Sequence, residues 1–212
     1  RREDGTEVQV EVTTYRSDTY DPDSRKPEVN YGDTLEGDLS RRDFTVNAMA
    51  LRVPELEFVD PFGGANDLAK GVLRTPVDPR QSFDDDPLRM MRAVRFVAQL
   101  GFHIEPETAE ALTDMVDRIE IVSAERVRDE LVKMLLSDRP RAGIEALVDS
   151  GLADIVFPEI PALQLQIDEH HRHKDVFEHT MIVLERAIAL ETGPDGPVPA
   201  PDLTLRLAAV MH

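Results

Sequence analysis

The stretch DDDPLRMMRAVRFVAQLG, residues 84 to 101, decides how the chain is organised. Asp86 can cap a helix, Pro87 suits the first helical turn and Gly101 is typical of a helix end. Before this stretch the sequence mixes strand and helix patterns, whereas after it the patterns are helical. The stretch therefore predicts a helix that ends at Gly101 and begins the helical part of the chain.

Helical patterns continue downstream of this first helix. Pro106 begins a segment that we predict to be helical through about Ile119, and two more helices follow at residues 123–137 and 140–151. In the segment 123–137 apolar side chains recur at i, i+4 and i+8, namely at Val127, Leu131 and Leu135. The four helices are expected to pack as a bundle.

The first third of the chain has an α/β texture. Valines at alternate positions predict a half-buried strand at residues 8–14, and the residues 17–37, rich in Pro, Gly and Asp, predict a long loop. Residues 50–64 predict strands that end in a Gly-Gly turn, and a short helix at 65–71 and a strand at 72–75 follow. The predicted fold class is therefore α+β and mostly helical.

Composition excludes several classes of protein. The 212 residues include no Cys, so disulfides and thiolate metal sites are excluded, and the chain suits a reducing cytosol. No run approaches the roughly 18 apolar residues of a membrane span. We therefore expect a cytoplasmic protein with no membrane partner. The absent initiator Met and the apolar run LTLRLAAVMH at residues 203–212 suggest an interior piece of a longer protein.

The net charge of the whole chain differs in sign from the charge of its local arginine clusters. A formal net charge of −18 argues against broad attraction to a polyanion such as RNA. The arginines are clumped, however, with two adjacent and three spaced by three residues, at Arg41, Arg42, Arg89, Arg92 and Arg95. A local basic cleft can therefore coexist with an acidic exterior.

The segment RRDFTVN, residues 41 to 47, carries groups that match those of a nucleotide. Asp43 could accept a hydrogen bond from a sugar hydroxyl, while Arg41 or Arg42 meets a phosphate in a forked pair. The structural alternative is that Asp43 caps a helix beginning at Phe44 and the arginines are solvated.

The stretch quoted first adds a second set of such groups. A carboxylate accepts from an exocyclic amino group and a guanidinium donates to a ring nitrogen or carbonyl, so Asp86 and Arg89 together could bind a base edge. Arg92 and Arg95 follow Arg89 at intervals of three residues along the predicted helix. Each interval turns the side chain about 60° around the helix axis, and both arginines could reach a triphosphate. The alternative is a capped helix with an exposed basic face.

Taken together, the motifs resemble those of the class II tRNA nucleotidyltransferases, the CCA-adding enzymes and their bacterial poly(A) polymerase relatives. The resemblance spans roughly residues 8 to 136, and the motifs follow the family's order: EVTTYR, RRDFTVNAMAL, DPFGG, DDPLRMMRAVRF and AERVRDELVKML. A later segment, DEHHRHKDVFEHT, resembles the start of an HD domain such as those joined to actinobacterial members.

The resemblance implies roles for particular residues. Arg41, Arg42, Asp43 and Asn47 would hold the sugar and phosphates of the incoming nucleotide, and Asp86 and Arg89 would select CTP and ATP, with Asp85 standing where the family usually has Glu. The segment DPFGG would be the flexible loop linked to switching between C and A addition, because paired glycines permit hinge-like changes; its residues include Asp60, Pro61, Gly63 and Gly64.

Metal sites are also implied by the resemblance. Such enzymes use two Mg²⁺ ions held by an Asp-x-Asp pair and a third carboxylate. Glu11 fits the third position, but no such pair follows a glycine turn in this sequence, so the fragment alone is expected to be unable to catalyse transfer. In the HD segment, His179 and His212 would be the first two ligands of a possible divalent metal. A satisfied helical histidine is the alternative for His179.

These inferences combine into one hypothesis. Residues 1–80 are predicted to be the C-terminal part of a nucleotidyltransferase head, 81–160 a helical neck that binds nucleotide and RNA, and 161–212 the start of an HD domain. The predicted activity is template-independent addition of C and A to the 3′ end of tRNA from CTP and ATP. The alternatives are a poly(A) polymerase, an HD-type phosphohydrolase, and a helical interaction module without catalysis.

Overall fold

The structure is a computed structural model that describes residues 12, 14, 16–19, 28–31, 34–163, 176–191 and 201–211. Across these ranges the chain forms short strands and many helices, which confirms the predicted α+β, mostly helical class. None of the helices in these ranges combines the length and apolarity needed to cross a membrane. The strand predicted at 8–14 falls outside these ranges except for Val12 and Thr14, which have no regular secondary structure.

The strands pair as three small two-stranded sheets. Strands β1 and β2 form an antiparallel hairpin, β3 and β4 form another, and β5 pairs in parallel with β6. Their bounds are β1 Arg16–Thr19, β2 Glu28–Tyr31, β3 Ala50–Arg52, β4 Glu57–Val59, β5 Val72–Leu73 and β6 His103–Ile104. The strands predicted within 50–64 and 72–75 are thereby confirmed.

The long loop predicted at residues 17–37 is wrong in part. Most of β1 and all of β2 lie inside it, with Arg16 opposite Tyr31, and helix α1 (Leu35–Ser40) begins before it ends. Backbone pairing forms this hairpin without the apolar alternation on which a strand prediction depends. The helix start was marked only by Thr34, whose hydroxyl accepts a hydrogen bond from the Gly37 N–H at 3.1 Å.

Two consecutive helices meet within the stretch that decides the organisation, residues 84–101. Helix α2 (Gly64–Lys70) and β5 lead to α3 (Pro79–Asp85), which the sequence analysis did not predict. Helix α4 (Leu88–Leu100) follows after one tight connection and ends, as predicted, at Gly101, whose φ of 69° is left-handed. Helices α3 and α4 are therefore joined at Asp86 and Pro87, the residues predicted to begin a helix.

The remaining helices build the core around α4. Their bounds are α5 Pro106–Asp114, α6 Ala124–Leu135, α7 Pro140–Asp149, α8 Leu152–Val156, α9 Glu159–Ala162, α10 Val176–Leu190 and α11 Leu203–Val210. Helix α4 packs on α6 and α7, burying Met90, Met134 and Ile144 completely or nearly so. Helix α5 packs chiefly on α3. The predicted four-helix bundle is therefore wrong in part, because α4, α6 and α7 pack together and α5 does not join them.

Candidate functional site

An open cavity of about 710 Å³ lies where the turn after α1 meets the junction of α3 and α4. Every residue predicted to bind nucleotide lines it, with the exception of Arg95. The lining residues are Asp38, Arg41, Arg42, Asp43, Asn47, Asp86, Leu88, Arg89, Arg92 and Arg126. Two segments that lie about 40 residues apart in sequence thus share one site.

The cavity lining is locally basic although the chain is acidic. Five arginines and three aspartates line it, so its formal charge is +2, against −18 for the whole chain. Guanidinium groups donate in a planar fork that matches phosphate and carboxylate geometry. The cavity can therefore attract an anion that the rest of the surface repels.

Asp38 holds the two adjacent arginines at one wall. Its side chain is 8% exposed and accepts hydrogen bonds from Arg41 Nε at 3.3 Å and from Arg42 Nη2 at 2.9 Å. The sequence analysis missed Asp38, although its spacing of three and four residues from the arginines is the helical signal for such a pair. Asp38 fixes where Arg41 and Arg42 present their remaining donors.

Asp43 organises the turn and also joins it to α4. Its Oδ1 accepts from the Phe44 N–H at 2.8 Å and from Asn47 Nδ2 at 3.0 Å, while Oδ2 accepts a fork from Arg92, with Nε at 2.8 Å. Residues Thr45–Asn47 form a 3₁₀ helix whose N-cap is Phe44. A sugar hydroxyl at Oδ2 would therefore share or replace the Arg92 donor.

The turn is anchored in the core through Phe44. That ring is fully buried and meets Phe96 of α4 edge-on, with ring centroids 5.8 Å apart. Burying a phenylalanine stabilises by about 1.5–3 kcal/mol. The polar residues on either side of Phe44 are thereby held at the cavity while the ring points away from it.

Arg89 is the most enclosed arginine of the cavity. It is 7% exposed, and its Nη1 donates to the Ser82 carbonyl at 3.0 Å and to Ser82 Oγ at 2.8 Å. Its Nη2 donates to the Arg41 carbonyl oxygen. Arg89 therefore joins α3, α4 and the turn after α1, while one side of it lines the cavity.

Asp86 faces the same space from the connection between α3 and α4. Its Oδ1 accepts from the Leu88 N–H at 3.2 Å, as predicted for a residue that caps the helix start. Its Oδ2 accepts from Arg126 Nη2 of α6 at 3.3 Å. Arg126 and Leu88 were missed by the sequence analysis, and for Arg126 no local signal exists because 40 residues separate it from Asp86.

Arg95 faces a different part of the molecule. It is buried, donates through Nε to Glu130 of α6, and lies 4.1 Å from the Phe96 ring centroid. Burial by itself raises the pKa of Glu130, but hydrogen bonds from Lys133 and Arg95 outweigh it and lower that pKa below its ordinary value. The ion pair holds α4 against α6, and the predicted contact of Arg95 with a triphosphate stays a prediction.

The DPFGG segment is a capped turn that packs against the Thr45–Asn47 turn of the cavity. Asp60 accepts from the Gly64 N–H at 2.7 Å and the Ala65 N–H at 3.0 Å, capping α2, and Gly63 has a left-handed φ of 74°. A Cβ on Gly64 would lie 2.1 Å from the Thr45 carbonyl oxygen. Of the predicted hinge residues, Gly64 is therefore packed directly against the turn that carries Asn47, whereas Pro61 is exposed.

Gly64→Ala should lower the free energy of unfolding by about 1–3 kcal/mol, because backbone atoms of Thr45 must move to admit the methyl group. The shift is measurable as a lower urea midpoint of the full-length protein. Asn66→Ala, an exposed change in the same helix, is the control and should stay within about 0.5 kcal/mol. Equal midpoints for the two variants would contradict the close approach.

The predicted metal ligands do not form a cluster in the described part of the chain. Glu11 and His212 lie outside the described residues, and His179 is an exposed residue of α10. Among the residues that the structure describes, no group of three or more His, Cys, Asp or Glu side chains could hold a metal ion. The three aspartates of the cavity are each hydrogen-bonded to an arginine instead.

Family models match two parts of the chain. A model described as "Poly A polymerase head domain" matches residues 2–74, which include the turn at Asp43. A second model, described as "Probable RNA and SrmB- binding site of polymerase A", matches residues 101–163, which include α6 and Arg126. The two models thus bracket the helix α4.

Several proteins similar to this chain are named CCA-adding enzymes. A CCA-adding enzyme of Leuconostoc mesenteroides is 42% identical over 161 residues, which is 75% of this chain and 40% of that protein. A Bacillus stearothermophilus CCA-adding enzyme in complex with CTP has a TM-score of 0.59 and 35% identity, covering 66% of this chain and 33% of its own. A Thermotoga maritima CCA-adding enzyme complexed with tRNA has a TM-score of 0.66 and 29% identity, covering 84% and 41%. The chain spans about two fifths of the length of its curated relatives.

Proposed function

The chain belongs to the family of class II CCA-adding tRNA nucleotidyltransferases and bacterial poly(A) polymerases, and we propose that it supplies the nucleotide-selecting part of an enzyme that adds C and A to the 3′ end of tRNA. The substrates would be CTP, ATP and a tRNA end. The observation that carries the proposal is that Arg41, Asp43, Asp86 and Arg89 line the same basic cavity.

Base choice follows from the donors and acceptors at one side of the cavity. Cytosine and adenine both present an exocyclic amino donor beside a ring nitrogen acceptor, whereas uracil and guanine present a carbonyl beside a ring N–H. Asp86 offers carboxylate acceptors and Arg89 offers guanidinium donors, which match the first pair of bases. Asp86 and Arg89 would therefore accept CTP and ATP and disfavour UTP and GTP without a nucleic-acid template.

The sugar and phosphates would lie toward the other side. Arg41 and Arg42 lie on the turn after α1, and Arg92 lies one helical turn beyond Arg89. The Asp43 carboxylate, hydrogen-bonded by Asn47 and Arg92, would accept from the ribose hydroxyl. These groups bind parts that all nucleotides share, so they would set affinity more than base choice.

The division into domains is proposed as follows. Residues 1–80 would form the C-terminal part of the head, 81–160 the neck that binds nucleotide and RNA, and 161–212 the start of an HD domain of the kind found in actinobacterial members. His179 and His212 would be metal ligands of that domain. In the neck, helix α6 would contribute to the cavity through Arg126.

Metal chemistry would be supplied from elsewhere. Two Mg²⁺ ions, when bound, would stabilise charge at the α-phosphate and activate the attacking 3′ hydroxyl. The cavity residues do not fit such a site, because each aspartate is already hydrogen-bonded to an arginine. Glu11 remains the proposed ligand of this chain, and the cavity's task is to bind and orient the nucleotide.

The test is nucleotide addition by the full-length protein to tRNA lacking its 3′ CCA, with CTP and ATP supplied separately and together and UTP and GTP as controls. Ordered addition of C, C and A is the expected result. A-only tailing of varied RNAs would instead identify a poly(A) polymerase, the alternative that the name of the matching head-domain model favours. No transfer would overturn both and favour the phosphohydrolase.

A further inference from the structure

Ser82 of α3 contacts both residues proposed to select the base. It is 0% exposed. Its carbonyl oxygen accepts from the Asp86 N–H at 3.3 Å and from Arg89 Nη1 at 3.0 Å, and its Oγ accepts from the same Nη1 at 2.8 Å. One buried residue outside the cavity lining therefore fixes the backbone at Asp86 and the guanidinium of Arg89.

The donors of Arg89 can be assigned one by one. A guanidinium has five N–H groups. Two of them, on Nη1, go to Ser82, and one on Nη2 goes to the Arg41 carbonyl oxygen. Among the described residues, Nε and the second N–H of Nη2 donate to no acceptor, and the side chain lines the cavity. The anchored edge thus determines where the other edge points.

We propose that Ser82 is a positioning residue for base selection: its hydroxyl fixes the rotation of the Arg89 guanidinium, and so the direction of the donors that face the base. This inference rests on the proposed function, because it assumes that Arg89 reads the base. Ser82 does not touch the nucleotide itself. It acts through Arg89, with the Arg41 carbonyl as the opposite anchor.

A purely structural role makes a different prediction. If Ser82 only joined α3 to α4, its loss would lower the stability of the protein. It would also lower kcat/KM for all four nucleotides by one common factor. If Ser82 sets the direction of the Arg89 guanidinium, its loss would lower kcat/KM for CTP and ATP more than for UTP and GTP. The reason is that only cytosine and adenine would accept hydrogen bonds from the correctly directed guanidinium donors. The ratio between nucleotides therefore separates the two roles.

The experiment compares Ser82→Ala with wild type in the full-length protein, measuring kcat/KM for each of the four nucleotides on tRNA lacking CCA, together with Tm. We expect the preference for CTP over UTP to fall about tenfold, the size of one hydrogen bond to a charged group. Ser150→Ala is the matched control, since Ser150 is also buried but its hydroxyl donates only to the Leu147 carbonyl, at 3.1 Å.

Each outcome decides the proposal. An unchanged preference, or an equal loss for all four nucleotides, would overturn the role of Ser82 while leaving CCA addition intact. A wild-type protein with no preference would overturn the proposed function and this inference together. If Ser82→Ala does not fold, Ser82→Cys replaces it, because the thiol keeps a polar atom at the γ position but is a weaker acceptor; an intermediate loss of preference is then expected.

Discussion

Replacement of Arg206 by leucine should lower the free energy of unfolding by about 3–5 kcal/mol, the cost of breaking a buried ion pair by removing one partner. Arg206 of α11 is 5% exposed. Its Nε and Nη2 donate to the two carboxylate oxygens of Glu191, each at 2.7 Å. Its Nη1 donates to the carbonyl oxygens of Leu135 at 2.7 Å and Ser137 at 2.6 Å.

The size of the effect follows from what the variant leaves behind. Leucine would leave the Glu191 carboxylate, 4% exposed, without its guanidinium, and would leave two carbonyls at the end of α6 without a donor. Urea unfolding of the full-length protein measures the loss. Arg186→Leu, an exposed change on α10, should stay within about 0.5 kcal/mol, and a similarly small effect for Arg206→Leu would contradict the assignment.

The same pair gives a pH dependence with a definite sign. Hydrogen bonds from Arg206 lower the pKa of Glu191 from its ordinary value of 4.5. A carboxylate whose pKa is lower in the folded state stabilises fully above its unfolded pKa, and this stabilisation is lost as the pH falls through the folded one. The stabilisation that this lowered pKa gives the wild type should therefore be fully present above about pH 5 and be lost as the pH falls below 4.5, so the difference in stability between wild type and Arg206→Leu should shrink on acidification.

Helix ends were the part of the fold that local sequence could predict. Pro87 and Gly101 mark the limits of α4 because proline and glycine have backbone preferences that act without neighbours. The hairpin of β1 and β2 could not be predicted in this way, since it pairs residues 9 to 15 positions apart in a segment whose sequence shows no apolar alternation. The packing of α5 on α3 likewise depends on tertiary contacts that local sequence does not specify.

In the site, too, local sequence predicted the contiguous clusters but not the residues that are brought in by tertiary contacts. The residues at Asp43 and Asp86 were found because each cluster is contiguous, and the structure brings both clusters to one cavity. Arg95 was grouped with Arg89 and Arg92, yet two steps of about 60° turn it some 120° around the helix, where Glu130 accepts its hydrogen bond. Ser82 and Arg126 were not predicted to belong to the site, because their contacts with Arg89 and Asp86 arise only on folding.

The second large effect is expected from Arg89→Lys, which keeps the charge but removes the fork. Lysine has its three N–H donors on one nitrogen, so it cannot reach the Ser82 and Arg41 carbonyls from two separate nitrogens and also direct a donor at the base as the fork does. The preference for CTP over UTP should fall about 100-fold, the upper range for a hydrogen bond to a charged group. It is measured as the ratio of kcat/KM values of the full-length protein.

Arg92→Lys on the same helix is the matched comparison, because its fork goes to Asp43 on the proposed sugar side. It should lower kcat/KM for all four nucleotides by a similar factor, about tenfold, and leave the preference unchanged. The two variants make the same chemical change one turn apart, so a difference between them must come from position in the cavity. If Arg92→Lys altered base choice and Arg89→Lys did not, the proposed base and sugar sides of the cavity would have to be exchanged.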